Sequence, residues 1–206
     1  MEYTALTYEV ADNIATITKI NAPQYGMTRA MVLEMRHALI EALNDVEVHV
    51  VVIDCAGPGF HLGAIVLADA NPDWQFTPMG FREVMQMGHQ LNQLIETLEK
   101  PVIGVARGGA VGGGFEMLHA CDFVIAGDTA QFSQPEVTLG MMCGWGGTQR
   151  VTRLAGWRQA KRILLEGIAV SGTEAAEMGL VTYAVPVDQV DTKVKEVCDR
   201  LKLSPV

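Results

Sequence analysis

The segment VHVVVID at residues 48–54 limits the fold of this 206-residue chain more than any other. It is dense in β-branched side chains, and across residues 50–53 no polar position interrupts the apolar ones. A strand that is apolar on both faces needs cover on both, which parallel strands flanked by helices provide. The neighbouring segments fit such an α/β arrangement. Residues 3–10 and Ile14–Lys19 read as two strands with a turn at Asp12-Asn13 between them. Thr28 can cap a helix reaching about Asn44, with Met31, Met35, Ala38, Leu39 and Ala42 on one face. Residues 56–78 are irregular and carry Gly57, Pro58, Gly59, Pro72 and Pro78. A long helix over 79–98, a strand over Val102–Ala106 and a helix over 114–120 come next. Strands over 123–126 and 130–132 lead to helices over 148–154, 157–166 and 171–178, the last with Thr173 as a cap. A strand over 181–185 and a strongly amphipathic helix over 188–201 complete the chain. Strands alternate with helices, and neither a linker nor a short repeat interrupts them, so a single domain over 1–206 is expected.

Composition narrows the function. The net charge is −9 with no basic stripe, so a nucleic-acid partner is not expected, because neutralised phosphates supply most of that affinity. The same balance gives no reason for binding to anionic membranes. Residues 1–19 lack a basic start and a continuous apolar run, and no stretch of about 18 apolar residues exists. Neither a signal peptide nor a membrane span is expected, and a cytoplasmic location is the simplest. Cys55, Cys121, Cys143 and Cys198 form no CxxC pair or zinc spacing, and the five histidines are scattered. Reduced structural thiols and no metal site are expected.

Of the 21 glycines, ten fall in residues 104–114 and 140–147. Gly108-Gly109-Ala110-Val111-Gly112-Gly113-Gly114-Phe115-Glu116 follows a strand and opens a helix. Free backbone N–H groups at such a junction, aided by the helix dipole, favour negative charge developing on a ligand. The alternative is tight helix packing through small residues. Neither a dinucleotide fingerprint nor a GxxxxGK[ST] loop is present. Glu116 comes straight after the glycines, and Glu136, in Gln134-Pro135-Glu136, comes just before the second glycine loop. Two carboxylates beside such a loop can hold one water and run acid and base chemistry on it. The alternative for each is a solvated charge at a helix end, but for Glu116, before Met117-Leu118, an unpaired buried carboxylate would be costly.

The run from Ala110-Val-Gly-Gly-Gly-Phe-Glu116 through Ala120-Cys-Asp122, Ala130-Gln-Phe-Ser-Gln-Pro-Glu136, Leu139-Gly140 and Gly146-Gly-Thr-Gln-Arg150 resembles the enoyl-CoA hydratase/isomerase (crotonase) superfamily. Leu164-Leu-Glu-Gly167 and Ala175-Ala-Glu-Met-Gly-Leu-Val181 continue the likeness, which covers nearly the whole chain. It implies a crotonase-like ββα superhelix acting on an acyl-CoA thioester, with no bound cofactor and coenzyme A carried as part of the substrate. It also implies an oxyanion hole from the backbone N–H groups of Gly113 and Leu62. Glu116 would orient and deprotonate water, Glu136 would exchange the proton at the α-carbon, and Gly112 and Gly144 would help position water and substrate. Coenzyme A and substrate contacts would come from Gln24, Tyr25 and Gly26 in an early loop, and from His61, Gly63, Ala64 and Ile65 around the second donor.

Both glutamates of the hydratase pattern are present, which favours a hydratase-type lyase. The alternatives are a crotonase-fold isomerase, a hydrolase or ring-cleaving enzyme for a β-dicarbonyl, and a non-catalytic assembly domain. Ile65 stands where the family has aspartate, Cys143 where proline is usual, and the early loop Pro23-Gln24-Tyr25-Gly26-Met27 lacks its basic residue. Family members continue into helices that cover the acyl pocket and help trimerise. Most of that helical region is expected to be absent from this sequence, and a homotrimer or dimer of trimers is the assembly the resemblance implies.

Overall fold

A computed structural model describes residues 2–20, 26–57, 61–63 and 77–203. The expectations placed on Gln24, Tyr25, Ala64 and Ile65 lie outside these residues, as does the His61 side chain. Ten strands and six helices are seen among the described residues.

The chain opens with a hairpin of β1 (Leu6–Ala11) and β2 (Ile14–Lys19), paired antiparallel from Leu6↔Lys19 to Ala11↔Ile14. Asp12 and Asn13 both take positive φ, 52° and 61°, as a tight two-residue hairpin turn requires. Helix α1 (Arg29–Asn44) starts where Thr28 accepts a hydrogen bond from the Met31 N–H. Then come β3 (Val50–Cys55), β4 (His61–Leu62) and α2 (Pro78–Glu96). Next are β5 (Val102–Ala106), β6 (Gly109–Val111) and α3 (Gly113–Leu118). They are followed by β7 (Phe123–Gly127), β8 (Gln131–Ser133) and α4 (Gly147–Leu165), which breaks at Gly156. The chain ends with β9 (Ala169–Ser171), α5 (Gly172–Glu177), β10 (Tyr183–Val185) and α6 (Val190–Leu201).

Two sheets result. The larger runs β1-β2-β3-β5-β7-β10 and is parallel from β2 onward; the smaller runs β4-β6-β8-β9. Strands β3, β5 and β7 lie in the first sheet, and each is followed by a strand of the second and then by helix. The strand–strand–helix unit therefore winds through three turns, as the expected superhelix requires.

The apolar run that opens the sequence argument sits in the middle of this arrangement. In β3, Val51 and Ile53 pack with Met31, Met35 and Leu39 of α1 and Leu91 of α2. Val50 and Val52 pack on the other face with Val190 and Val197 of α6. Burying one such side chain fully is worth roughly 1.5–3 kcal/mol. Several boundaries differ from expectation. The strand begins at Val50, not residue 48, and α5 is capped by Ser171 in a full capping box with Glu174, not by Thr173. Strands β4, β6 and β9 were not expected, β4 falling in the span 56–78 that reads as irregular, because two or three residues carry too little periodicity to read.

Candidate active site

The glycine run does its work at the seam between β6 and α3. Gly112, at φ 54°, caps α3 and donates its N–H to the Ser133 carbonyl of β8. A Cβ on Gly113 would sit 2.7 Å from the Trp145 ring and 3.1 Å from the Gly63 Cα. A Cβ on Gly63 would sit 2.4 Å from the Gly113 nitrogen. The backbones of the two expected oxyanion segments therefore touch, and only glycine at both positions permits it. Parallel pairing of β4 with β6 sets this contact, with Leu62 opposite Val111 and the Gly63 N–H donating to the Val111 carbonyl at 3.1 Å. Gly26 is buried beside it, since its neighbour Met27 donates to the Gly63 carbonyl at 3.1 Å.

Glu116 lies in the first turn of α3 and is 2% exposed. Its Oε1 accepts the N–H groups of Trp145 at 2.8 Å and Gly147 at 2.7 Å. Burial pushes its carboxyl up to about 7; the Glu136 charge adds to this, and the two N–H donors oppose it. Glu136, in the 3-10 turn Pro135–Leu139, is also raised, first by burial. One of its oxygens is 3.1 Å from where a Gly112 Cβ would be, so the carboxyl hangs over the glycine run. Phe81, Met85, Gly113, Glu116, Glu136, Met141, Met142, Gly144 and Trp145 enclose a cavity of about 50 Å³. Glu116, Glu136, Gly113 and Gly144, four of the residues singled out in the sequence, thus meet at one small space.

Several contributors were given no role in the sequence reading. Trp145 is 2% exposed, donates its ring N–H to the Val84 carbonyl at 3.2 Å, and fills the space left by Gly88 in α2. Its own carbonyl accepts from Asn92 and Arg150, each at 3.0 Å, and Arg150 is ion-paired with Glu96 at 2.5 Å. Gln134 is buried, and its amide, turned to donate, reaches the Glu136 oxygens at 3.0 and 3.1 Å. A glycine within the apolar phase of a long helix, as Gly88 is, was the available signal for a large side chain packed against it.

Cys143 sits beside this pair. Its thiol is pushed well above the ordinary range by burial and then by the Glu136 and Glu116 carboxylates, so it stays protonated. All four cysteines are free, and no cluster of His, Cys, Asp and Glu suited to a metal occurs among the described residues.

A carboxylate pair beside a close-packed glycine seam and a water-sized cavity is an arrangement that can carry acid–base chemistry. Residues 9–205 match the family model for enoyl-CoA hydratase/isomerase. The chain is 34% identical to a crotonyl-CoA hydratase of Syntrophomonas wolfei, over 98% of this chain and 76% of that protein. It is 32% identical to a short-chain-enoyl-CoA hydratase of Clostridium acetobutylicum, over 98% and 76%. Among solved structures, an enoyl-CoA hydratase of Bacillus anthracis superposes with a TM-score of 0.88 at 28% identity, covering 97% of this chain and 77% of that one. The chain belongs to the enoyl-CoA hydratase/isomerase family, and its fold is that of the crotonase enzymes.

Proposed function

We propose that this chain hydrates an α,β-unsaturated acyl-CoA thioester. The observation that carries the reading is the placement of Glu116 and Glu136 on one cavity of about 50 Å³ with Gly113 and Gly144. At roughly 30 Å³ for a water molecule, that space suits one water beside the reacting carbons. Glu116 takes a proton from the water as its oxygen bonds to the β-carbon. The displaced π electrons move to the thioester oxygen, which accepts from the backbone N–H groups of Leu62 and Gly113. The carbonyl then re-forms as Glu136 delivers a proton to the α-carbon, and the proton taken up by Glu116 returns to Glu136 through solvent, so that one water is added in all and both carboxyls are reset.

Burial raises both carboxyls, Glu116 to about 7. On Glu116 two N–H donors work against burial and support the carboxylate form that a base needs. Gly26 and Gly63, together with His61 and the outlying Gln24, Tyr25, Ala64 and Ile65, are assigned to the coenzyme A side. Gly112 lets Glu136 approach. The same reading carries a single domain, supported by the alternation of strands and helices without a linker, a homotrimer or dimer of trimers, supported by the family resemblance, and a cytoplasmic setting. None of the described helices is long and apolar enough to cross a membrane.

Incubation with crotonyl-CoA, followed by loss of the conjugated-thioester absorbance, tests the reading. Glu116→Gln and Glu136→Gln are each expected to lower kcat by about 10²–10⁴. Turnover that survives both substitutions unchanged would sink it.

A further inference from the structure

The two N–H groups that hold Glu116 belong to Trp145 and Gly147, and along the chain the Trp145 carbonyl lies between them. Gly146 separates the two donors at φ 103°. A left-handed residue in that place lets the flanking N–H groups cup one anion. The Trp145 carbonyl is itself held by two side chains. Asn92 of α2 and Arg150 of α4 each donate to it at 3.0 Å. Asn92 is wholly buried and Arg150 is 7% exposed. The guanidinium lies so close against the turn that a Cβ on Gly146 would sit 2.0 Å from Arg150 Nη1. Its other arm, Nη2, is ion-paired with Glu96, one helical turn past Asn92 on the same face of α2. One donor would satisfy this carbonyl. It takes two, and one of them is a cation that must be buried to reach it.

We propose that Arg150 and Asn92 are positioning residues that pin the turn at residues 145–147, so that both of its N–H groups stay on Glu116. The inference rests on the hydratase reading, in which Glu116 is the base, and adds the residues that hold that base in place. The first argument is geometric. Two helices each send one side chain to the same oxygen, so the turn cannot rotate without breaking buried hydrogen bonds. The second argument is charge. The ionisable groups around Glu116 are Glu136 of the 3-10 turn, Cys143 of the loop after it, His119 on α3 and Arg150 of α4. Burial raises the Glu116 carboxyl most, the Glu136 charge adds to this, and the Arg150 charge opposes it. Cys143 and His119 are neutral. Burial pushes the thiol up, and it pushes the imidazole down to about 3 with the Arg150 charge assisting. Arg150 is thus both a donor to the turn and a positive charge that favours the carboxylate. Removing it should raise the Glu116 midpoint. The rate on the acid side should then fall, because a base must be ionised to act.

Carbon NMR of protein labelled at its glutamate carboxyls gives the Glu116 midpoint without turnover, its signal being the one absent from Glu116→Gln. Hydration of crotonyl-CoA across the same pH range gives kcat and KM. In Arg150→Met the midpoint is expected to rise by about one pH unit. At neutral pH its kcat should fall about tenfold or more, with KM unchanged. Arg150→Lys keeps a charge but not the fork, so the midpoint should return toward the parent value while kcat stays depressed. Asn92→Leu removes the neutral donor and leaves the pair of Arg150 with Glu96. Its kcat should fall about threefold, and it carries the test if Arg150→Met does not fold. An unmoved midpoint in Arg150→Met would overturn the assignment. So would a loss of kcat that is equal at every pH, as a merely loosened link between α2 and α4 would give, or an unchanged kcat in Asn92→Leu. The two readings fail separately. A midpoint that moves in a chain that hydrates no enoyl-CoA keeps the clamp and removes the hydratase. Hydration of crotonyl-CoA that is indifferent to all three substitutions does the reverse.

Discussion

Glu116 shows the cost of keeping a carboxylate in a dry place. Its carboxyl titrates at about 7 in the folded chain against an ordinary value of 4.5. The folded state therefore holds this proton more tightly than the unfolded one, and the group opposes folding once it must ionise. Below about pH 4.5 both states are protonated and nothing is lost. Stability falls as pH rises from there to about 7 and is then constant, a loss of about 3 kcal/mol at 1.36 kcal/mol for each pH unit. Glu116→Gln keeps an oxygen for the Trp145 and Gly147 N–H groups and carries no charge. It is expected to melt at a higher temperature than the parent at pH 8, with the gap closing by pH 4, by calorimetry across that range. Equal melting temperatures at both ends would contradict this. The identity of Glu116 and Glu136 was legible in the sequence because each is a carboxylate next to glycines. Their partners were not. The donors to Glu116 are backbone groups of Trp145 and Gly147, and a backbone N–H leaves no mark in a sequence.

Among the elements, α2 and the loop before α4 act as a pair through one side chain. Trp145 lies across Gly88 of α2, its ring N–H on the Val84 carbonyl and its main chain on Glu116. A methyl group at position 88 would land 1.9 Å from the indole. Gly88→Ala would help an isolated helix, since alanine is favoured over glycine by about 1 kcal/mol in a helix interior. Here the clash is expected to win. The variant should lower the melting temperature and also kcat on crotonyl-CoA, because displacing the indole shifts the Trp145 main chain, whose N–H holds Glu116. A gain in stability with full activity would show that Trp145 can move without cost. The helix itself was read from its apolar periodicity to within two residues at each end. What could not be read was which side chain fills the socket at Gly88, since that residue lies 57 positions further along the chain.

For the whole molecule, the alternation of strand and helix was enough to reach the α/β class, and the ordered motifs were enough to reach the superhelix. The partition of strands between two sheets was not legible, because β4, β6, β8 and β9 are two or three residues long. Such strands are fixed by neighbouring turns of the spiral rather than by their own pattern. In a winding of this kind each turn leans on the next, so protection against opening should be graded. Amides of β3 and β5, inside the larger sheet with helices on both faces, are expected to exchange slowest. Those of β10, which among the described residues pairs only with β7, should exchange faster by orders of magnitude. Hydrogen exchange followed by mass spectrometry checks this, and uniform protection of β3 and β10 would rule out the gradient.

The parallel register that sets Leu62 against Val111 has a consequence for how such a site can be lost or adjusted. Slipping β4 along β6 by one residue would shift it by about 3.3 Å and turn the Leu62 side chain toward the Gly113 backbone where Gly63 now lies. The two expected oxyanion donors belong to different turns of the spiral, so their spacing is held by pairing, with no covalent link nearby. The site is in effect a vernier: it reads the alignment of two short scales, and it is in focus at one setting only.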